Sequence, residues 1–142
     1  MILSQCVYHK KILGNTAAGV DAAAVTGDAI DVTTLGAFDR ARLIIELGAV
    51  VDGAKLTASL SECDTSAGTY TTIADLGAAG MVITDMDDNS VVIDVPLTER
   101  YLKYGYRRTT QNAEFDSLVI ELYDSGKTPI TQSATVAIEK IL

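Results

Sequence analysis

Apolar and polar residues alternate at a period of two through most of the chain, in short stretches rich in Val, Ile, Thr and Tyr set apart by clusters of Gly, Asp, Asn and Ser. Side chains of a strand point to opposite faces in turn, so this pattern predicts strands with one buried face. The clearest covers 38–47, with Ala41, Leu43, Ile45 and Leu47 on one face and Arg40, Arg42, Ile44 and Glu46 on the other. Next, 55–62 turns Leu56, Ala58 and Leu60 inward, and Val51-Asp52-Gly53 between the two has hairpin-turn chemistry, which predicts that they pair. A short strand is expected at 69–74. Another follows at 90–95, with Val91, Ile93 and Val95 on one face and Pro96 ending the ladder because it has no N–H to donate. Segments 100–108 and 115–123, the latter with Leu118, Ile120 and Leu122 on one face, are read as a long hairpin joined by polar 109–114. A last strand at 133–142 is expected to place Val136 and Ile138 inward after a turn over 125–129, and 20–32 supplies a further strand.

These segments number eight, without a repeat of fixed period, and helix signals are nearly absent. The expected fold class is all-β, an antiparallel β-sandwich of about eight strands with jelly-roll or immunoglobulin-like topology. Residues 1–19 show no clean period and end in a run of Asn, Thr, Ala and Gly. They read as an N-terminal arm and linker ahead of a sandwich domain over 20–142.

Composition narrows the function. The chain of 142 residues suits one hydrophobic core, and its 48% hydrophobic content supports a packed interior despite a formal net charge of −8. With 19 Asp and Glu against 11 Lys and Arg, the average field repels phosphate backbones and anionic lipid, so neither nucleic acid nor membrane is an expected partner. No export signal is visible near the start, and no run approaches the ~18 apolar residues of a membrane span. The expectation is a soluble protein made in the cytosol. Cys6 and Cys63 have no CxxC spacing and only one histidine accompanies them, which excludes the usual Cys/His zinc set. They read as reduced, partly buried thiols, with a bridge between them as the alternative.

Candidate chemistry is sparse. His9 is the only histidine and lies in the arm, so it reads as a surface or interface residue rather than the base of a triad. Asp85-Met86-Asp87-Asp88-Asn89 opens like a calcium loop, but its sixth position is Ser90 where glycine is needed and its twelfth is Pro96 where a bidentate Glu is needed. A solvated turn is the better reading. Gly77 to Gly80 is a lone G-x-x-G in an Ala-rich loop, a weak signal. Carboxylate pairs for glycoside cleavage are disfavoured by the absence of tryptophan. The expectation is therefore no enzyme, with no catalytic, cofactor-binding or metal-ligating residues. The one concentration of aromatic and cationic groups is Tyr101, Tyr104, Tyr106, Arg107 and Arg108, the composition of interface hot spots, against an ordinary strand as the plainer reading.

The segment VTGDAIDVTTLGAFDRARLIIELGAVVDGAKLTASLSECDTSAGTYTTIADLGAAG, from Val25 to Gly80, resembles the decoration, or cementing, proteins of tailed-phage capsids, and Arg100-Tyr101-Leu102-Lys103 adds to the likeness. The resemblance is one of pattern and order. It does not extend to residues 1–13, where the arm with Cys6 and His9 has no counterpart. It implies a β-sandwich on the capsid exterior, synthesised in the host cytoplasm, partnered by the major capsid protein and by itself, commonly as a homotrimer. Contacts are then expected from the arm, through Ile2, Leu3, Val7, Tyr8, Lys10, Lys11 and Ile12, and from the Tyr and Arg cluster. Two other readings stand beside it: a head-completion or tail-tube protein, and a module that binds carbohydrate on a host surface.

Overall fold

The computed structural model describes residues 7–126. In chain order these form β1 (Tyr8–Leu13), β2 (Thr16–Gly19), β3 (Val25–Thr26), β4 (Ile30–Asp31), a one-turn helix α1 (Val32–Gly36), β5 (Phe38–Val50), β6 (Lys55–Cys63), β7 (Thr71–Asp75), β8 (Met81–Val82), β9 (Ser90–Pro96), β10 (Tyr101–Thr109) and β11 (Ala113–Ser125). The helix starts where Asp31 accepts a hydrogen bond from the Thr34 amide at 3.0 Å, and it ends where Ala37 turns left-handed with φ of 50°.

Two antiparallel sheets pack face to face. The first runs β1, β11, β5, β9, with β2 also beside β11; the second runs β3, β10, β6, β7, with β4 also beside β10 and β8 also beside β6. Because β1 and β2 share one place, as do β3 and β4, and β7 and β8, the eleven strands among the described residues fill eight positions. The chain changes sheet at every step between positions except from the β6 position to the β7 position. That order is the jelly roll, which decides between the two topologies left open by the sequence.

The predicted faces hold. Leu43, Ile45 and Leu47 of β5, Leu118, Ile120 and Leu122 of β11, and Leu56, Ala58 and Leu60 of β6 are buried, and Val91, Ile93 and Val95 of β9 join the same core. Enclosure of such side chains between two sheets is what stabilises each of them.

The predicted pairings do not all hold. β5 and β6 are no hairpin: β5 lies between β11 and β9, while β6 lies between β10 and β7. The Val51 to Ala54 turn, closed by the Ala54 amide on the Val51 carbonyl at 2.9 Å with Gly53 at φ of 85°, carries the chain over the end of the sandwich. Segments 100–108 and 115–123 likewise lie in opposite sheets as β10 and β11. The physical reason is the same in both places. Alternation buries one face whether the next strand lies beside it or across the core, so the pattern alone does not separate the two.

Residues 8–19 are not an arm and linker. Tyr8 pairs with Leu122 and His9 with Glu121 along β11, and β2 continues beside the same strand after a register shift between Lys11 and Leu13. That irregularity, together with Lys10 at an inward position opposite buried Ile120, hides the period of two. An inward charge on an edge strand also discourages further strands from adding there. Segment 20–32 is two short ladders on β10 leading into α1, not one strand. The predicted strand at 133–142, with Val136 and Ile138, lies outside the described residues.

Candidate docking surface

The outward residues of the first sheet form four rows across its strands. One row reads Tyr123, Arg40, Pro96; the next His9, Glu121, Arg42, Asp94; the third Lys11, Val119, Ile44, Val92; the fourth Ser117, Glu46, Ser90. The alternation of β5 sets Arg40, Arg42, Ile44 and Glu46 outward because Ala41, Leu43, Ile45 and Leu47 are held in the core.

Charges in these rows are paired across strands. Arg42 Nε donates to Glu121 Oε2 at 2.6 Å, and His9 Nδ1 lies 3.0 Å from Glu121 Oε1. Arg40 Nη2 donates to Asp94 Oδ1 at 2.9 Å, its Nε donates to the Tyr123 hydroxyl at 2.8 Å, and that hydroxyl in turn donates to Asp94. Both guanidinium groups lie by the Tyr123 ring, at 5.7 Å for Arg40 and 5.0 Å for Arg42. Burial pushes the Asp94 carboxyl up, but the hydrogen bonds from Tyr123 and Arg40, with the charges of Arg40 and Arg42, outweigh it and hold the group below its ordinary value. Beside this lattice runs an apolar row in which Ile44 and Val119 are half-buried and Val92 is 53% exposed. Arginine, tyrosine and aliphatic carbon over paired charge is a composition suited to protein contact.

The cluster expected on β10 divides. Tyr101 and Arg107 face outward, and the strand's period of two turns Tyr104, Tyr106 and Arg108 toward the interior. Tyr106 is buried, its ring edge-on to Phe115 with centroids 5.6 Å apart. Tyr104 is half-buried against the backbone of Gly27, where a Cβ would fall 2.1 Å from the ring, so this position requires glycine. Arg107 donates to the Asp21 and Ala22 carbonyls at 3.2 and 3.0 Å. Arg108 is 7% exposed and reaches Asp21 Oδ1 at 2.9 Å, the Ala113 carbonyl at 2.8 Å and the Ala17 carbonyl at 3.1 Å. Tyr101 stays half-buried with the Arg100 guanidinium 5.1 Å from its ring.

Of the expected arm contacts, Ile2 and Leu3 lie outside the described residues, as does Cys6. Tyr8 is buried with its ring 6.3 Å from Phe38, and Ile12 packs against the core. Lys11 is exposed on the outward face, Lys10 is half-buried, and Val7 immediately precedes β1. Cys63 is buried, its Sγ 3.5 Å from Asp64 Oδ1. In the calcium-like run, Asp87 accepts a hydrogen bond from the Val50 amide, and turns close through the Met86 amide on Ile83 and the Asn89 amide on Met86. Among the described residues no three His, Cys, Asp or Glu side chains converge to hold a metal ion. Nor is any helix among them long and apolar enough to cross a membrane.

The second sheet carries a shallow concavity of about 540 Å³ on its outer face. Hydroxyls of Thr57, Ser59 and Thr72 line it, with Arg107 and Asp75 on its wall and Gly105 in its floor. A Cβ at Gly105 would meet Ser59 Oγ at 3.2 Å and the Val25 carbonyl at 3.4 Å, so the missing side chain keeps the floor open.

Other carboxylates fasten connections to strands. Glu62 accepts from the Thr98 amide at 2.9 Å, the Thr98 hydroxyl at 2.6 Å and the Glu99 amide at 3.1 Å, which ties the β9 to β10 connection to β6. Burial raises the Glu62 carboxyl, and these three donors together bring it below its ordinary 4.5. The Arg100 guanidinium, foremost, and the Thr34 amide hold Asp31 far below its ordinary 3.8. Groups that are more acidic folded than unfolded give stability that is complete above the unfolded values and is lost as pH falls through the folded ones. The urea midpoint is therefore expected to stay level from neutral pH down to about 5 and to fall steeply below about 4. Glu62→Gln should lower the neutral midpoint and flatten that fall; an unchanged acid limb in this variant would refute the role given to Glu62.

No family model matches the chain, and a search of curated proteins finds no match to it.

Proposed function

We propose that this chain is a structural binding module of a virion, a decoration protein that attaches to the outer surface of a phage capsid and stabilises the assembled shell. The observation that carries the reading is the placement of its charged groups. Arg40 with Asp94, Arg42 with Glu121, Arg100 with Asp31 and Arg108 with Asp21 each join neighbouring elements of the sandwich. This favours recognition by broad faces over chemistry in a cleft. The resemblance of the segment from Val25 to Gly80 supplies the virion setting, and the jelly roll, which recurs in capsid and lectin domains, is compatible with it. A protein that binds only the assembled shell shifts the equilibrium away from disassembly by mass action.

The test is co-sedimentation of the purified chain with emptied capsid shells built from the major capsid protein encoded beside it. Saturable binding at a fixed number of copies per shell, with a raised shell melting temperature, is expected. A gene with no capsid gene near it, or shells that sediment without the chain, would overturn the reading. A second reading, carbohydrate binding on a host surface, is favoured by one observation, the hydroxyl-lined concavity with Arg107 and Asp75. A glycan array decides it, since signal abolished by Gly105→Val would favour that reading and a blank array would end it.

A further inference from the structure

We infer that the outer face of the first sheet is self-complementary and pairs two copies of this chain about a twofold axis that runs parallel to the strands in the plane between the two faces. Such an axis leaves each row in register with its own image and reverses the order within it. The four-place row His9, Glu121, Arg42, Asp94 then sets Glu121 against Arg42 of the second copy and His9 against Asp94 of the second copy. In the row below it, the same operation sets Val119 against Ile44 and Lys11 against Val92, placing aliphatic carbon at the centre. In the row above, Tyr123 meets Arg40 of the second copy, a cation over an aromatic ring.

The order of charges decides this geometry. Reversing a row of four sets its second place against its third, so Glu121 meets Arg42 with opposite sign, while a row of odd length would set its central charge on its own image. Arg42 is already paired with Glu121 and Arg40 with Asp94 in their own copy, with His9 beside Glu121, so the face approaches its image as a lattice of neutralised pairs and not as uncompensated ions. The face spans four strands and four rows, roughly 20 Å by 20 Å, or on the order of 400 Å² per copy, about half of a standard interface side. Pairing of the free chain is accordingly weak, with a dissociation constant of about 0.1–1 mM. The proposal concerns the free chain and stands apart from the capsid assignment, so either can fail without the other.

Sedimentation velocity of the full chain from about 10 μM to about 2 mM reads the expected monomer to dimer shift. Arg42→Glu and Glu121→Arg each set like charges against each other in a homodimer and should each weaken self-association by about tenfold or more. Mixed in equal amounts they set opposite charges in both facing pairs, so the mixture should dimerise where neither variant alone does. A purely structural role for Arg42 or Glu121 gives no such rescue in trans. Val92 is exposed enough to change without disturbing the fold, and Val92→Lys should weaken the dimer by facing Lys11 of the second copy, while Val92→Glu should strengthen it. A wild-type chain that stays monomeric throughout, a trimer mass, single variants that associate as the wild type does, or a mixture without recovery would each overturn the pairing.

Discussion

Asp21→Ala is expected to lower the free energy of unfolding by about 3–5 kcal/mol, the usual loss when one partner of a buried ion pair is removed. Arg108 enters the sandwich from the inward face of β10 at the end where β2, β10 and β11 meet. Its guanidinium is satisfied there by both oxygens of Asp21 and by the carbonyls of Ala17 and Ala113. Burial alone would raise the Asp21 carboxyl, but the side-chain and backbone hydrogen bonds from Arg108, with the charges of Arg108 and Arg107, outweigh it and keep the group ionised. Alanine at 21 leaves a nearly enclosed cation with two carbonyl dipoles and the Phe115 ring but no anion. The double variant Asp21→Ala with Arg108→Met removes the stranded charge together with its partner, and its loss should be smaller, about 1–2 kcal/mol. Urea unfolding at pH 7 reads both. A single variant within about 1 kcal/mol of the wild type, or a double variant as unstable as the single, would contradict the account.

Phe115→Ala is expected to cost about 3–5 kcal/mol, on three grounds. Phe115 is fully enclosed, its ring is met edge-on by Tyr106 at 5.6 Å, and the Arg108 guanidinium lies 5.0 Å from it. The alanine cavity opens between the two sheets, where strands paired on both sides have little room to collapse. Phe115→Leu refills most of the volume and should lose less than half as much. Thermal melts of the two variants separate these outcomes; equal melting temperatures would show that the ring's shape and its contact with Arg108 contribute nothing. Because Phe115 and Arg108 touch, their effects should not add in a double variant.

Faces were legible in the sequence and neighbours were not. Ala41, Leu43, Ile45 and Leu47, and Leu118, Ile120 and Leu122, lie where the alternation puts them, since a one-residue slip would expose a whole set. Which strand lies beside which depends on the path of the chain, and sequential strands become neighbours only about two-thirds of the time. A jelly roll places successive strands mostly across the core, so the two expected hairpins, one read from turn chemistry and one from a polar join, are crossings between sheets. The docking face was lost for the same reason. Arg40 and Arg42 were already assigned to an outward face, but nothing local announces that Tyr123, Glu121 and Asp94 arrive beside them, because β5, β9 and β11 are far apart in sequence. The cluster from Tyr101 to Arg108 failed differently. It grouped residues by closeness in the chain, although the strand's own period places them by turns on opposite sides. Residues 8–13 escaped because a register shift and an inward lysine conceal an edge strand among polar residues.

The central place of β11 in the first sheet, between β1 and β5, has a consequence for how the protein is made. On the ribosome β1 emerges first, yet the strand it needs appears only after about a hundred more residues, some 5–20 seconds later at ordinary elongation rates. Until then β1 and one side of β5 expose unmatched amides and carbonyls, and closure of this sheet waits for β11 to be released. Closure of the first sheet is therefore a late step of folding, and the nascent polypeptide is most prone to aggregate in the interval before β11 emerges.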